Sequence, residues 1–300
     1  LVVEADESDG TFLALGAETA IVTNVEPDHL ENWGGEAPLR QAFGRFVTAL
    51  TGPAVLCADD AGARDLVTAA GRPVTYGLDP GADYRVAAPA PAGTGVRFEL
   101  HHAGERVDVE VPAAPGVHNA TNAAGALALA HLHGVPLAAG AEALAGFEGV
   151  ARRFEHRGEA GGVTVIDDYA HLPTEVRAAL AAGAAGPWER FVAVFQPHRY
   201  SRTEAVWRDF ADAFIAADRL AITDVYAAGE PPRPGVSGKL VVDAVLDAHP
   251  WANVAWLPTL DDVLLWLRGV LRPGDLCLTL GAGDLTALAP RIVAMLEDRR

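Results

Sequence analysis

Lysine is almost missing: Lys239 is the only one among 300 residues, and no G-x-x-x-x-G-K-[ST] segment occurs, so these residues contain no complete phosphate-binding P-loop. Disulfides are excluded as a framework, because Cys57 and Cys277 are the only cysteines. Both lie in apolar stretches, which also weakens a thiol-nucleophile reading and favours a reducing, cytoplasmic setting. Positive charge is short as well. The formal net charge of −17 argues against general affinity for nucleic acid or for an anionic membrane, so any phosphate must be held locally. No apolar run is long enough to span a bilayer; the longest, Ala123 to Leu132, gives way to polar sequence around His133 and Gly134. The opening Leu1-Val2-Val3-Glu4-Ala5-Asp6 lacks the basic region and apolar core of a signal peptide. Ser8 and Ser201 lack the G-x-S-x-G elbow of a serine hydrolase.

Half of the residues are hydrophobic, and a chain of this length divides more naturally into two cores than one. Leu1–Val3 reads as a strand running into an acidic cluster, and the missing Met suggests that an upstream part has been cut away. Strands are expected at 20–25, 53–57 and 73–76, helices at 39–50 and 61–70, and a hairpin from 96–100 and 107–111. Ala87 to Gly93, with its two prolines, reads as a loop or hairpin approach, and Ala-rich 119–133 as a helix. Past a boundary near Phe147 to Val150 the pattern alternates regularly. Strands at 163–167, 191–195, 220–224, 254–257 and 276–280 are separated by helices at 174–185, 204–216, 239–247, 260–271 and 285–297. Such alternation specifies an α/β fold with a mostly parallel sheet covered on both faces.

Ligands in open α/β sheets sit where strands end, and several candidate segments stand at such ends, with others at a helix start and at the suspected boundary. Glu4-Ala5-Asp6-Glu7-Ser8-Asp9 offers oxygen ligands suited to Mg²⁺, although a solvated acidic loop is the simpler reading of these residues alone. In Asn24-Val25-Glu26-Pro27-Asp28-His29 either Asp28 or His29 has the chemistry to reach a metal, while a lone His is more often structural. Asn119 and Asn122, at the start of the Ala-rich helix, are natural caps. Arg152-Arg153-Phe154 stands at the suspected boundary. Asp167-Asp168-Tyr169-Ala170-His171-Leu172-Pro173 and Gln196-Pro197-His198-Arg199-Tyr200-Ser201-Arg202 follow successive strands, and together they describe a polar cleft. Arg199 and Arg202, three apart at a helix start, ask for a local anion, which a substrate carboxylate would supply. Gly281-Ala282-Gly283-Asp284 lacks the third glycine of a dinucleotide turn and reads as a tight strand-to-helix turn.

Taken in order, these segments resemble the Mur ligase family, in particular its alanine-adding branch. The resemblance spans nearly the whole chain. It implies part of a P-loop-type central ATPase domain over residues 1–148, without the N-terminal UDP-binding domain and P-loop, followed by a Rossmann-like C-terminal amino-acid-binding domain over 149–300. The implied activity is ATP-dependent joining of L-alanine to UDP-N-acetylmuramate through an acyl phosphate, with ATP and Mg²⁺ required, no nucleic acid or membrane partner, and room for a homodimer. By the same resemblance Glu4 and His29 would ligate Mg²⁺, Asn119 would contact adenine, Arg153 the ATP phosphates, and Asp168 the nucleotide. Tyr169, His171, His198, Arg199 and Arg202 would surround L-alanine and the acyl group, with the last four catalytic. Leu172 departs from the family's usual second His. The absence of any lysine near residues 30–50 removes the carbamylated lysine of several sibling ligases and suits the alanine-adding branch. Three other readings compete: a recycling ligase that attaches a ready-made peptide to the same sugar nucleotide, a non-catalytic binding fragment, and, on Gly281-Ala282-Gly283 alone, a nicotinamide oxidoreductase.

Overall fold

A computed structural model describes residues 1–298, with Glu31 described in its backbone only. The chain forms two compact units, Leu1–Glu148 and Gly149–Arg300, each built on its own six-stranded sheet.

In the first unit the elements run β1 (Ala20–Val22), α1 (Leu30–Trp33), α2 (Glu36–Ala49), β2 (Ala54–Cys57), α3 (Ala61–Asp65), β3 (Pro73–Gly77), β4 (Tyr84–Ala92), β5 (Gly95–His102), β6 (Glu105–Val111), α4 (Val117–Leu132) and α5 (Leu137–Leu144). The sheet order is β1-β2-β3-β4-β5-β6, parallel through β4 and antiparallel from there on. Ala120, Ala124, Leu127 and Ala128 of α4 are buried in the core over this sheet, and the small residues let the helix approach closely. A Cβ at Gly125 would meet the Tyr76 ring at 2.8 Å.

Two expectations fail in this unit, and a third is narrowed to one of its alternatives. Leu1–Val3 is not a strand: it is irregular and exposed, because an extended segment without a partner ladder leaves its backbone groups to water. Of the two readings of Ala87 to Gly93 the hairpin approach holds and the loop does not, since most of it belongs to β4, pairing Ala90, Pro91 and Ala92 with Arg97, Val96 and Gly95 across a bulge. Pro89 and Pro91 are tolerated because β3 pairs only with Tyr84 and Arg85 at the strand's start, so the missing N–H groups break no ladder on that side. Neither Asn119 nor Asn122 caps α4. Gly116 does, at φ 96° and ψ 154°, a conformation that side-chained residues avoid.

In the second unit the elements run β7 (Glu155–Ala160), β8 (Val163–Asp168), α6 (Pro173–Ala184), β9 (Arg190–Phe195), α7 (Tyr200–Val206), β10 (Arg219–Ile222), α8 (Lys239–Ala248), β11 (Val254–Trp256), α9 (Leu260–Val270), β12 (Asp275–Leu280) and α10 (Leu288–Glu297). The order β11-β10-β9-β12-β8-β7 is parallel except for β7. Both faces are buried, and they divide by the two-residue period of a strand. Ile166, Phe191, Ala193, Phe195, Leu276, Leu278 and Leu280 enter one core, whereas Val163, Val165, Val192, Val194 and Cys277 enter the other. Burial pushes the Cys277 thiol up to about 12, which leaves it inert. The helix expected at 204–216 is shorter, ending at Val206 in a 3₁₀ turn over Trp207–Phe210, so that Phe210, Ala213 and Phe214 all reach the core. Packing overrides periodicity there.

Candidate functional site

In the second unit, β8, β12 and β9 end at one level, for Leu280 is in register with Asp168 on one side and Phe195 on the other. β12 lies between β8 and β9, which are consecutive in sequence. This is a topological switch point, where such sheets open a crevice.

The two aspartates at the end of β8 have different tasks. Asp167 is buried and accepts the hydroxyls of Thr279 (2.5 Å) and Thr286 (2.7 Å), with the Arg152 Nε at 3.7 Å. Arg152 also donates to the carbonyls of Gly281 (2.7 Å) and Gly283 (3.3 Å). It is therefore a strut, and Gly281-Ala282-Gly283 is a packed turn: a Cβ at Gly283 would strike Gln196 and Tyr226 at 2.5 Å. Asp168, 7% exposed, accepts the N–H groups of Phe154 and Ala170, both at 2.7 Å. Burial raises its carboxyl above the ordinary aspartate range, against these two N–H groups and the charge of Arg153, while Glu175 adds to the rise. Arg153 is left half-exposed, its Nη1 3.6 Å from Glu175 Oε1 and its guanidinium 5.4 Å from the Tyr169 ring centroid.

Four rings follow in a row. Tyr169 meets His171 edge-on at 5.4 Å, His171 meets His198 at 5.8 Å, and His198 stacks on Tyr226 at 5.7 Å. Arg202 Nη1 lies 2.9 Å from His198 Nδ1. His171 Nδ1 lies 3.1 Å from the Tyr169 carbonyl and 3.3 Å from Glu175 Oε2. Arg199 takes the left-handed φ of 67° at the start of α7, its N–H donating to the Tyr226 carbonyl at 2.8 Å. The protein itself places one carboxylate at this helix start, where Glu230 accepts the N–H (2.9 Å) and hydroxyl (2.5 Å) of Ser201. Burial works against the Glu230 charge. The two Ser201 bonds, with Arg233 and Arg199, nevertheless hold this carboxyl below its ordinary range.

Tyr169, His171, His198 and Arg202 are thus brought together, with Arg153 linked to them through Glu175 and Asp168 held beside Tyr169 by the Phe154 and Ala170 N–H groups. Glu175, Tyr226 and Glu230 were not anticipated. An acid in the first turn before an apolar helix marks Glu175 as a capping residue, and Tyr226 follows β10 as His198 follows β9. No sequence signal points to Glu230.

The first unit is looser. Glu4 is exposed on an irregular segment; just beyond it Asp6 accepts the Ser8 N–H at 2.8 Å and Asp9 the Thr11 N–H at 2.9 Å. Those hydrogen bonds, with His29 nearby, hold Asp6 below the ordinary range. His29 has φ 51°, donates its N–H to Asp28 Oδ1 at 2.8 Å and keeps Nε2 3.4 Å from Asp28 Oδ2. Its Nδ1 is buried with no hydrogen-bond partner. Asp60 braces the preceding loop by accepting the Val25 N–H at 3.0 Å and the Ala63 N–H at 2.7 Å. Asn119 donates to the Pro115 carbonyl at 2.7 Å, leaving its amide oxygen for other partners. Among the described residues no group of three or more His, Cys, Asp or Glu side chains could hold a metal ion. Mg²⁺ beside a nucleotide needs only one or two protein ligands with phosphate and water. The orphaned His29 nitrogen fits one such donor, and Glu4 fits by chemistry alone.

Two family descriptions match the chain: "Mur ligase middle domain" over residues 2–130 and "Mur ligase, glutamate ligase domain" over 152–283. A UDP-N-acetylmuramate–L-alanine ligase of Anaeromyxobacter dehalogenans is 44% identical over 99% of the chain and 65% of its own length. The same-named protein of Saccharopolyspora erythraea is 45% identical over 99% of the chain and 62% of its own length. The chain thus spans just under two thirds of these relatives. Among solved structures, the UDP-N-acetylmuramate-alanine ligase MurC of Thermotoga maritima superposes with a TM-score of 0.78 at 28% identity, covering 99% of this chain and 64% of that one. A murein peptide ligase from Psychrobacter arcticus, at 22% identity and a TM-score of 0.66, shares the fold.

Proposed function

Because the chain belongs to the Mur ligase family, we propose that the full-length protein joins L-alanine to UDP-N-acetylmuramate at the expense of ATP, in the cytoplasm, during synthesis of the peptidoglycan precursor. The observation that carries this reading is the 44% identity, over 99% of the chain, to a relative bearing that name. In the proposed reaction the sugar carboxylate attacks the γ-phosphate, ADP leaves, and the amine of L-alanine displaces phosphate from the acyl phosphate. Phosphoryl transfer of this kind depends on alignment and charge neutralisation more than on covalent catalysis. Bound Mg²⁺ would neutralise the phosphates, with Glu4 and His29 as its protein ligands. We assign Asn119 to adenine, Arg153 and Asp168 to the nucleotide, and Tyr169, His171, His198, Arg199 and Arg202 to L-alanine and the acyl group. A homodimer is compatible with this chemistry but not required by it.

The test is phosphate release by the full-length protein with ATP, Mg²⁺, UDP-N-acetylmuramate and L-alanine. Release that requires L-alanine is the expected result. Release that ignores L-alanine but requires a preformed peptide would transfer the protein to the recycling reaction.

A further inference from the structure

We propose that Glu175 is a positioning residue that assigns different proton roles to His171 and His198. The proposal rests on the ligase reading above and adds a residue to it. Glu175 stands in the first turn of α6, and its Oε2 accepts the backbone N–H groups of His171 (2.9 Å) and Leu172 (3.1 Å). The same oxygen is 3.3 Å from His171 Nδ1, which also faces the Tyr169 carbonyl at 3.1 Å. A carbonyl only accepts, so the Tyr169 bond requires a hydrogen on Nδ1 and in the neutral ring the lone pair is on Nε2, while Glu175 adds its negative charge beside that N–H. His198 has the opposite arrangement. A guanidinium has no acceptor, so Arg202 Nη1, 2.9 Å away, must donate to His198 Nδ1, which places the hydrogen of that ring on Nε2.

The surrounding charges reinforce the difference. His171 is faced by the Glu175 carboxylate from α6, by Tyr169 from the end of β8 and by the His198 ring from the β9 end, while Arg153 draws on the other Glu175 oxygen at 3.6 Å. His198 is faced by Arg202 from α7, by Tyr226 from the β10 end and by His171. A carboxylate favours a protonated neighbour, and a guanidinium disfavours one. His171 is therefore the proton acceptor and His198 a neutral donor through Nε2. In the proposed step the α-ammonium of L-alanine first gives one proton to solvent. The amine lone pair then forms the C–N bond at the acyl carbon, and the second proton passes to His171 Nε2. The C–O bond to phosphate breaks with its electron pair leaving on phosphate, while His198 Nε2–H donates to the oxygen that gains charge.

The variant to test is Glu175→Gln in the full-length protein. The amide oxygen can still accept the His171 and Leu172 N–H groups, but the charge is gone. With ¹⁵N-histidine NMR, the wild type is expected to show His171 with its hydrogen on Nδ1 and His198 with its hydrogen on Nε2. In the variant the Tyr169 carbonyl should keep the His171 hydrogen on Nδ1, while the titration midpoint of His171 should move to lower pH because the neighbouring negative charge is gone. The acid limb of kcat for L-alanine-dependent phosphate release should move the same way, with kcat lowered about tenfold and the KM for ATP unchanged. If melting temperature falls while the His171 titration midpoint and the pH profile stay as in the wild type, Glu175 is only a helix cap and the proposal is wrong. If neither protein releases phosphate in response to L-alanine, the ligase reading fails, and the NMR measurement still decides the role of Glu175.

Discussion

The two units place their polar residues by different means. In the second, the candidate side chains other than Arg153 stand at or just past the end of a strand paired on both sides, so the backbone level is fixed before any side chain is chosen: Asp168 and Phe195 both face Leu280 of β12. Further ties then fix the loops, among them Arg152 to Gly281 and Ser201 to Glu230. In the first, Glu4 and its acidic neighbours lie on an unpaired segment held by short local turns, although Asn32 and Trp33 of α1 donate to the carbonyls of Ser8 and Glu7. A strand end positions a ligand only when the strand is in a sheet. The candidate side chains of the second unit are thus placed by its sheet, whereas Glu4 is held by no regular element.

Substitutions can break this contrast. The largest effect should come from His171→Ala in the full-length protein, expected to lower kcat by roughly 10²–10⁴-fold with the melting temperature nearly unchanged. Steady-state kinetics would decide, and a loss below tenfold would remove His171 from the chemistry. Next is Asp167→Ala, which leaves the Arg152 Nε and the Thr286 hydroxyl facing a void. Thr279 can fall back on the Ile166 carbonyl at 3.3 Å, so the expected cost is about 3 kcal/mol, read as a lower urea midpoint. A change within ~0.5 kcal/mol would mean that the strut is not needed. Glu4→Ala tests the other side of the contrast. Stability should move by less than ~0.5 kcal/mol, since the side chain is exposed, while turnover falls and more Mg²⁺ is needed. Unchanged turnover at saturating Mg²⁺ would end the assignment of Glu4.

The sequence was most readable where both faces of a strand are buried. β8, β9, β10 and β12 read as continuous apolar runs because each side chain enters one core or the other. β7 was missed because Glu155-His156-Arg157-Gly158-Glu159 is an edge strand, where charge is an asset against unwanted pairing. Leu1–Val3 has the apolar composition of a strand, yet no strand among the described residues pairs with it. His171, His198 and Arg202 could be picked out from their positions after strands. Glu230 could not, because it acts on Ser201 from a loop far along the chain, and only the fold brings the two together.

The smallest expected effect concerns that contact. Glu230 is held charged below its ordinary range in the folded protein, so the sign follows from linkage: the folded state binds the proton less readily than the unfolded state. The carboxylate therefore adds stability at pH values above the ordinary glutamate range, and loses it as pH falls through the depressed folded value. Glu230→Gln keeps one acceptor for Ser201 but drops the charge facing Arg199 and Arg233. The wild type should exceed the variant by about 0.5–1 kcal/mol at pH 7, and the gap should close on acidification. Urea unfolding of both proteins at pH 7 and near pH 3.5 measures it. A gap that stays constant across that range would show the bond geometry to matter and the charge not, and the α7 start would then owe its anchoring to hydrogen bonding alone.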